Sequence, residues 1–283
     1  MSAEIVIDFE DPELEQKYLR LKNILAEMES AAVAFSGGVD STLLLKIARD
    51  QLQDRVVAVT SKSETYPREQ LEESRELADK IGVEQLLLQT EELESEDFAS
   101  NPPDRCYHCK RELFSSVLEV ARERNLEYVL DGSNYDDLDD YRPGLKALKE
   151  LGIRSPLLEA ELTKDDIRRL SEKLELPTWN KASFACLSSR FPYGDKITRD
   201  KLLRVDRAEK FLRKLKLQQL RVRHHDNHTA RIEVKPQDMI LFLERREEIV
   251  TRFKEVGYTY ITLDLEGYRT GSMNEVLLEK DKV

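Results

Sequence analysis

The chain has 283 residues, 40% hydrophobic and 36% charged, enough for two domains of ordinary size with buried cores. Its formal net charge of −11 argues against a large nucleic-acid partner, which needs a basic footprint. No apolar run approaches the ~20 residues of a membrane span, and the acidic N-terminus lacks a signal peptide's basic start and long apolar core, so a cytoplasmic protein with no membrane partner is expected.

Leu14, Leu21, Ile24, Leu25 and Met28 recur at helical spacing over residues 13–29. Apolar runs at Ala31–Phe35, Val56–Thr60, Gln85–Leu88 and Tyr128–Leu130, and a shorter one near Ile153–Ser155, read as strands. Helical patterns lie between and after them at 41–52, 68–81, 110–124, 140–151 and 164–174. This alternation predicts an α/β fold with a parallel sheet covered on both faces. Ligands in such sheets sit at the carboxyl ends of the strands. The pattern breaks after Leu176-Pro177, and residues 178–194 read as a loop. A helix over 198–216, strands at Leu220–His224 and Ala230–Val234, a helix over 237–256 and a strand at Tyr258–Leu263 read as a smaller α+β unit. The expected division is one domain over 1–194 and a second over 195–283.

The run Ala31-Ala-Val-Ala-Phe-Ser-Gly-Gly-Val-Asp-Ser-Thr42 carries the clearest chemical signal. A strand, a glycine turn and a helix start bring free N–H groups together, and the helix dipole favours an anion there. Ser36, Ser41 and Thr42 add hydroxyls to the backbone of Gly37 and Gly38. Asp40 reads as a Mg²⁺ ligand beside a phosphate or as a helix-capping acid. The run fits neither Gly-x4-Gly-Lys-Ser/Thr nor Gly-x-Gly-x-x-Gly. It resembles the PP-loop, Ser-Gly-Gly-x-Asp-Ser, of the ATP pyrophosphatase superfamily, whose members bind ATP, adenylate a substrate and release pyrophosphate. That resemblance implies an adenosine-holding role for the loop with Ser61, and a position over the ATP for Gly132 in Leu130-Asp-Gly-Ser-Asn134. Arg142 and Lys146 are candidate phosphate or carboxylate binders, though a solvated helix face explains them nearly as well.

Cys106-Tyr-His-Cys109 sits at a predicted helix start, and Cys186 lies in the later loop. Three cysteines do not close a set of disulfides. The spacing is compatible with a zinc site, a redox dithiol or an iron–sulfur cluster with one open iron. His224, His225 and His228 read as solvated loop residues.

Over nearly its whole length the chain resembles the LarE family, PP-loop sulfur transferases of nickel-pincer cofactor synthesis, which serves lactate racemase maturation. The resemblance is carried by Val33–Thr42, Leu130–Gly132, Asp140–Lys146 and Trp179-Asn-Lys181. It continues through Ser188-Ser-Arg-Phe-Pro-Tyr-Gly194, Arg221-Val-Arg223, Ala230–Glu233 and Tyr260–Asp264. It implies ATP and Mg²⁺, adenylation of the carboxylates of pyridinium-3,5-biscarboxylic acid mononucleotide, displacement of AMP by sulfur, and a homo-oligomer. Ser189, Arg190, Arg221 and Arg223 would hold the anionic substrate, with Glu209 and Glu233 nearby. Some members use one cysteine as a sacrificial sulfur donor; its place here is Ala185. The set Cys106, Cys109 and Cys186 instead resembles the branch carrying a [4Fe-4S] cluster, which passes on sulfide from a donor without consuming the protein. Two other functions compete: a cluster-dependent tRNA thiolase of the same superfamily, and a nucleotide-binding module without catalysis.

Overall fold

The computed structural model describes residues 9–63, 65–66, 68–138, 142–182, 185–215, 217, 219–269 and 271–277. Glu64 of the Ser61 loop and Asp140-Tyr141 of the Asp140–Lys146 motif lie outside the described residues. The chain divides into two compact units. The first draws on residues 1–63, 68–90 and 106–184; the second on 64–67, 91–105 and 185–283.

The first unit opens with α1 (Pro12–Ala26). Asp11 caps it by accepting from the N–H groups of Glu13 and Leu14, and Pro12 stands where its missing N–H costs nothing. There follow β1 (Ala31–Ala34), α2 (Val39–Leu52), β2 (Val56–Lys62), α3 (Arg68–Ile81) and β3 (Gln85–Gln89). After the short α4 (Glu96–Ala99) of the second unit come α5 (Arg105–Glu123), β4 (Tyr128–Leu130), α6 (Pro143–Glu150), α7 (Pro156–Glu159) and α8 (Lys164–Lys173). The four strands are all parallel, in the order β3-β2-β1-β4.

Alternation along β1 explains the two cores. Ala31 and Val33 join Leu43, Leu44 and Ile47 of α2 on one face, and Ala32 joins Val57, Val59, Phe114 and Val117 on the other. The expected strand at Ile153–Ser155 is reduced to a single parallel bridge between Leu130 and Arg154. Pro156 starts α7 at once and leaves no room for a strand. Helix α5 begins earlier than its periodicity suggests, so Cys106 and Cys109 lie within its first two turns.

The second unit contains α9 (Arg199–Arg213), β5 (Leu220–His225), β6 (Thr229–Val234), α10 (Met239–Glu244), α11 (Arg246–Val256) and β7 (Tyr260–Leu263). The sheet order is β5-β6-β7, the first pair antiparallel and the second parallel. Its own core includes Leu212, Val222, Ile232 and Phe253. The single expected helix over 237–256 is two helices, parted at Arg245. Residues 91–105 join this unit because Asn101 is buried against the segment around Phe191. Its amide donates to the carbonyls of Pro192 (2.6 Å) and Phe191 (3.3 Å), and its carbonyl accepts the Gly194 N–H at 2.9 Å.

Candidate active site

At the end of β1 the chain turns through Ser36, Gly37 and Gly38 into α2. Gly37 has φ +63°, a region that a side chain strains, and a Cβ there would lie 3.1 Å from the Ser74 Cβ. Glycine is therefore needed both for the turn and for its packing on α3. Gly38 is the N-cap of α2 and no side chain caps the helix. The first N–H groups of α2 consequently have no capping side chain and no intrahelical acceptor. Ser41 Oγ accepts the Ser36 N–H at 3.3 Å, lies 3.2 Å from Ser36 Oγ and donates to the Gly38 carbonyl. Thr42 Oγ1 is buried without a hydrogen-bond partner. A glycine cradle, an uncapped helix start and an orphaned buried hydroxyl fit a polyphosphate.

Asp40 does not cap α2. Its Oδ2 pairs with Lys164 Nζ, and its Oδ1 accepts from Asn134 Nδ2 at 3.3 Å. A carboxylate beside the cradle is the hard oxygen ligand that Mg²⁺ prefers. Neither Lys164 nor Asn134 stood out in the sequence. Lys164 carried a signal nonetheless: Thr163 and Asp166 form a capping box, which places a cation at the first position of α8, against the helix dipole. Such a cation needs acidic neighbours, and Asp40 supplies one. Lys181 of the Trp179–Lys181 motif donates to the Gly37 carbonyl at 2.9 Å and pairs with Glu73, fastening the turn from outside.

Gly132 follows β4, and a Cβ there would lie 3.4 Å from the Ser41 N. The two turns therefore abut. Ser61 stands within β2 rather than in a loop, and its hydroxyl is shared with Thr90 Oγ1 at 2.6 Å. Arg142 pairs with Asp137 at 2.9 Å, and Lys146 lies over the Tyr107 ring at 5.7 Å. Both expected anion binders thus have structural contacts.

Cys106 is exposed and Cys109 half-buried, three residues apart on one face of α5. Cys186 is exposed, at the head of the short 3₁₀ turn Leu187–Arg190 in the second unit. None of the three is in a disulfide. Among the described residues no group of three or more His, Cys, Asp or Glu gathers as a metal site. The donor set is chemically right for an iron–sulfur cluster, which takes thiolates.

The second unit holds a buried arginine cluster. Arg190 is 0% exposed. Its Nε and Nη2 grip the Glu209 carboxylate at 2.7 and 3.0 Å. Its Nη1 donates to Ser189 Oγ and to the carbonyls of Ala185 and Cys186. The guanidinium expected to hold substrate is fully covered here and builds the Cys186–Ser189 turn. Burial works to raise the Glu209 carboxyl, but the charge and hydrogen bonds of Arg190 prevail and hold it below its usual value. Arg223 donates to the Ser189 carbonyl (2.8 Å), Glu233 (2.7 Å) and Ser272 Oγ (2.8 Å), and its Nε is buried without a partner. Arg221 lies over the Tyr268 ring at 5.1 Å. Burial, together with the Arg190 charge, pushes the Arg221 guanidinium down to about 10. Arg190, Arg213 and Arg221 lie around Glu209, Arg223 and Arg231 pair with Glu233, and Arg231 and Arg269 with Asp264. His224 corrects another expectation. It is buried within β5, between the rings of Phe191 and Tyr258, and is no solvated loop residue.

The parallel sheet with its glycine turn and uncapped helix defines a PP-loop ATP pyrophosphatase domain. Residues 22–126 match the asparagine synthase family model. The chain is 40% identical over 265 residues to the pyridinium-3,5-bisthiocarboxylic acid mononucleotide synthase of Lactiplantibacillus plantarum, covering 93% of this chain and 96% of that one. It is also 46% identical to an uncharacterized protein of Synechocystis sp., over 93% of this chain and 99% of the relative. An uncharacterized protein of Methanocaldococcus jannaschii is 31% identical over 90% and 98%. The chain belongs to the LarE family of PP-loop sulfur transferases.

Proposed function

We propose that this protein converts the carboxylates of pyridinium-3,5-biscarboxylic acid mononucleotide to thiocarboxylates at the expense of ATP. The observation that carries this reading is the glycine turn before the uncapped start of α2, with the buried Thr42 hydroxyl beside it, which suits the phosphates of ATP. It is supported by the likeness to a synthase of the bisthiocarboxylic acid product. A substrate carboxylate oxygen attacks the α-phosphorus of ATP, and pyrophosphate leaves. The α2 N–H groups and the Gly37–Gly38 backbone would stabilise the departing charge; Asp40 would hold a Mg²⁺ ion, which would supply further charge neutralisation there. Arg221, Arg223 and Ser189 hold the substrate anions; Arg190 and Glu209 shape the turn that carries Ser189. Sulfide sulfur then forms a bond to the acyl carbon, and AMP leaves with one carboxylate oxygen.

Cys106, Cys109 and Cys186 would hold a [4Fe-4S] cluster, which supplies an iron-bound sulfide so that no cysteine is consumed. Three cysteines outside any disulfide suit a reducing cytoplasm. A homo-oligomer belongs to the same reading. Iron and acid-labile sulfide analysis of anaerobically purified protein tests the cluster: stoichiometric iron and sulfide support it. Their absence, or conversion of Cys186 to dehydroalanine during turnover, overturns it. Thiolation of tRNA in place of the pyridinium nucleotide would overturn the substrate assignment.

A further inference from the structure

The first two turns of α5 are anchored by contacts that nucleotide or sulfur chemistry does not itself require. Lys110, the residue after Cys109, reaches across to the turn after β4, where its Nζ pairs with Asp131 Oδ2 at 3.1 Å. Asp131 is buried, and its Oδ1 also accepts the Ser133 N–H at 2.8 Å and the Ser155 hydroxyl at 3.3 Å. The Lys110 stem lies in a slot that exists only because residue 144 is glycine: a Cβ at Gly144 would stand 2.7 Å from Lys110 Cδ. Tyr107, between the two cysteines, donates to Glu150 Oε2 at 2.6 Å. Gly132, next to Asp131, touches the backbone of Ser41. A continuous physical path thus runs from the cysteine pair through Lys110 and Asp131 to the glycine turn.

We propose that Lys110 is a positioning residue whose ion pair with Asp131 couples nucleotide binding at Ser36–Thr42 to the placement of Cys106 and Cys109. The proposal rests on the nucleotide reading of that turn and is independent of whether the thiols hold a cluster. Coupling of this kind is reciprocal: what nucleotide does to the thiols, the thiols' surroundings do to nucleotide affinity.

The test uses the full chain, treated with chelator and reductant so that both thiols are free. Iodoacetamide alkylation of Cys106 and Cys109 is followed by mass spectrometry, with and without α,β-methylene-ATP and Mg²⁺. In the unaltered protein nucleotide changes the alkylation rate of the pair by about fivefold or more, the lower end of ordinary coupling. In Lys110→Met the change disappears. Gly144→Ala is the second variant, because alanine favours the helix while its Cβ drives Lys110 from its slot; it also loses the effect, with its melting temperature kept. Calorimetry on the same samples separates the two layers of the argument. No nucleotide binding overturns both the nucleotide reading and the proposal. Binding without a change in thiol reactivity, or coupling retained in either variant, overturns the proposal alone.

Discussion

Lys164 and Asp40 meet across 124 residues of sequence, an ammonium at the first position of α8 against a carboxylate at the second position of α2. Asn134 fixes the other Asp40 oxygen, so the acid has one defined orientation beside the glycine turn. The pair places one cation and one metal-binding group at the site proposed for the ATP phosphates. Removing a preorganised charge from such a site lowers turnover by about 100-fold. Lys164→Met and Asp40→Asn are each expected to show that loss in substrate-dependent pyrophosphate release. Asp40→Asn also raises the Mg²⁺ concentration needed for half-maximal rate, which a magnesium titration reads directly.

Gly37 is the strictest backbone position of the site. Gly37→Ala brings a Cβ within 3.1 Å of the Ser74 Cβ at φ +63°. The backbone strain alone is about 1–2 kcal/mol, and the contact with α3 adds to it. The expected outcome is a lower urea midpoint with nucleotide binding lost, whereas Gly82→Ala, at a positive φ with open space around it, shows the strain without loss of binding.

The Arg190–Glu209 pair is buried on both sides. Without Arg190 the buried Glu209 carboxylate keeps Arg213 and the Val222 N–H, at a penalty near the low end of the about 3–5 kcal/mol of an unpaired buried charge. Arg190→Met is expected to destabilise the chain by that amount in urea unfolding. The double variant Arg190→Met/Glu209→Leu should recover much of it, because both charges are gone. The double variant still loses sulfur transfer, since no guanidinium then braces the carbonyls of Ala185 and Cys186.

Burial lowers the His224 imidazole from 6.5 to about 4. The unfolded chain therefore takes up a proton near pH 6.5 that the folded chain refuses until about pH 4. Stability rises with pH over this window: it is full above 6.5 and is lost as pH falls towards 4. The loss attributable to this group is on the order of 3 kcal/mol. His225, also lowered mainly by burial, acts in the same direction. Urea unfolding from pH 4.5 to 7.5 should show a steeper decline for the unaltered protein than for His224→Gln.

The sheet was legible because its strands are short apolar runs set off by turns, and because glycine pairs leave a visible gap in side-chain patterning. The glycine turn announced an anion cradle for the same reason. The capping box marked Lys164 as a cation in need of an acid but did not name Asp40, and Lys110 gave no signal, since Asp40 and Asp131 are brought to them only by the parallel crossovers. The bracing role of Arg190 was not legible, because the same residue types serve a substrate and a buried brace. Only burial separates these, and Glu209 lies 19 residues further on in another element. Residues 91–105 are tied to the second unit by the Asn101 amide on the Phe191–Pro192 backbone, the Ile197 N–H on the Ala99 carbonyl and Arg105 on the Ser188 carbonyl, contacts without local periodicity.

The central claim is that this chain replaces carboxylate oxygen with sulfur on an anionic pyridinium nucleotide. The most direct measurement is mass spectrometry of the reaction of pyridinium-3,5-biscarboxylic acid mononucleotide with ATP, Mg²⁺, sulfide and anaerobically purified protein. The account predicts the mono- and bisthiocarboxylate in turn, one AMP and one pyrophosphate per sulfur incorporated, and Cys106, Cys109 and Cys186 intact afterwards. Recovery of the unchanged biscarboxylate while ATP is bound would contradict it.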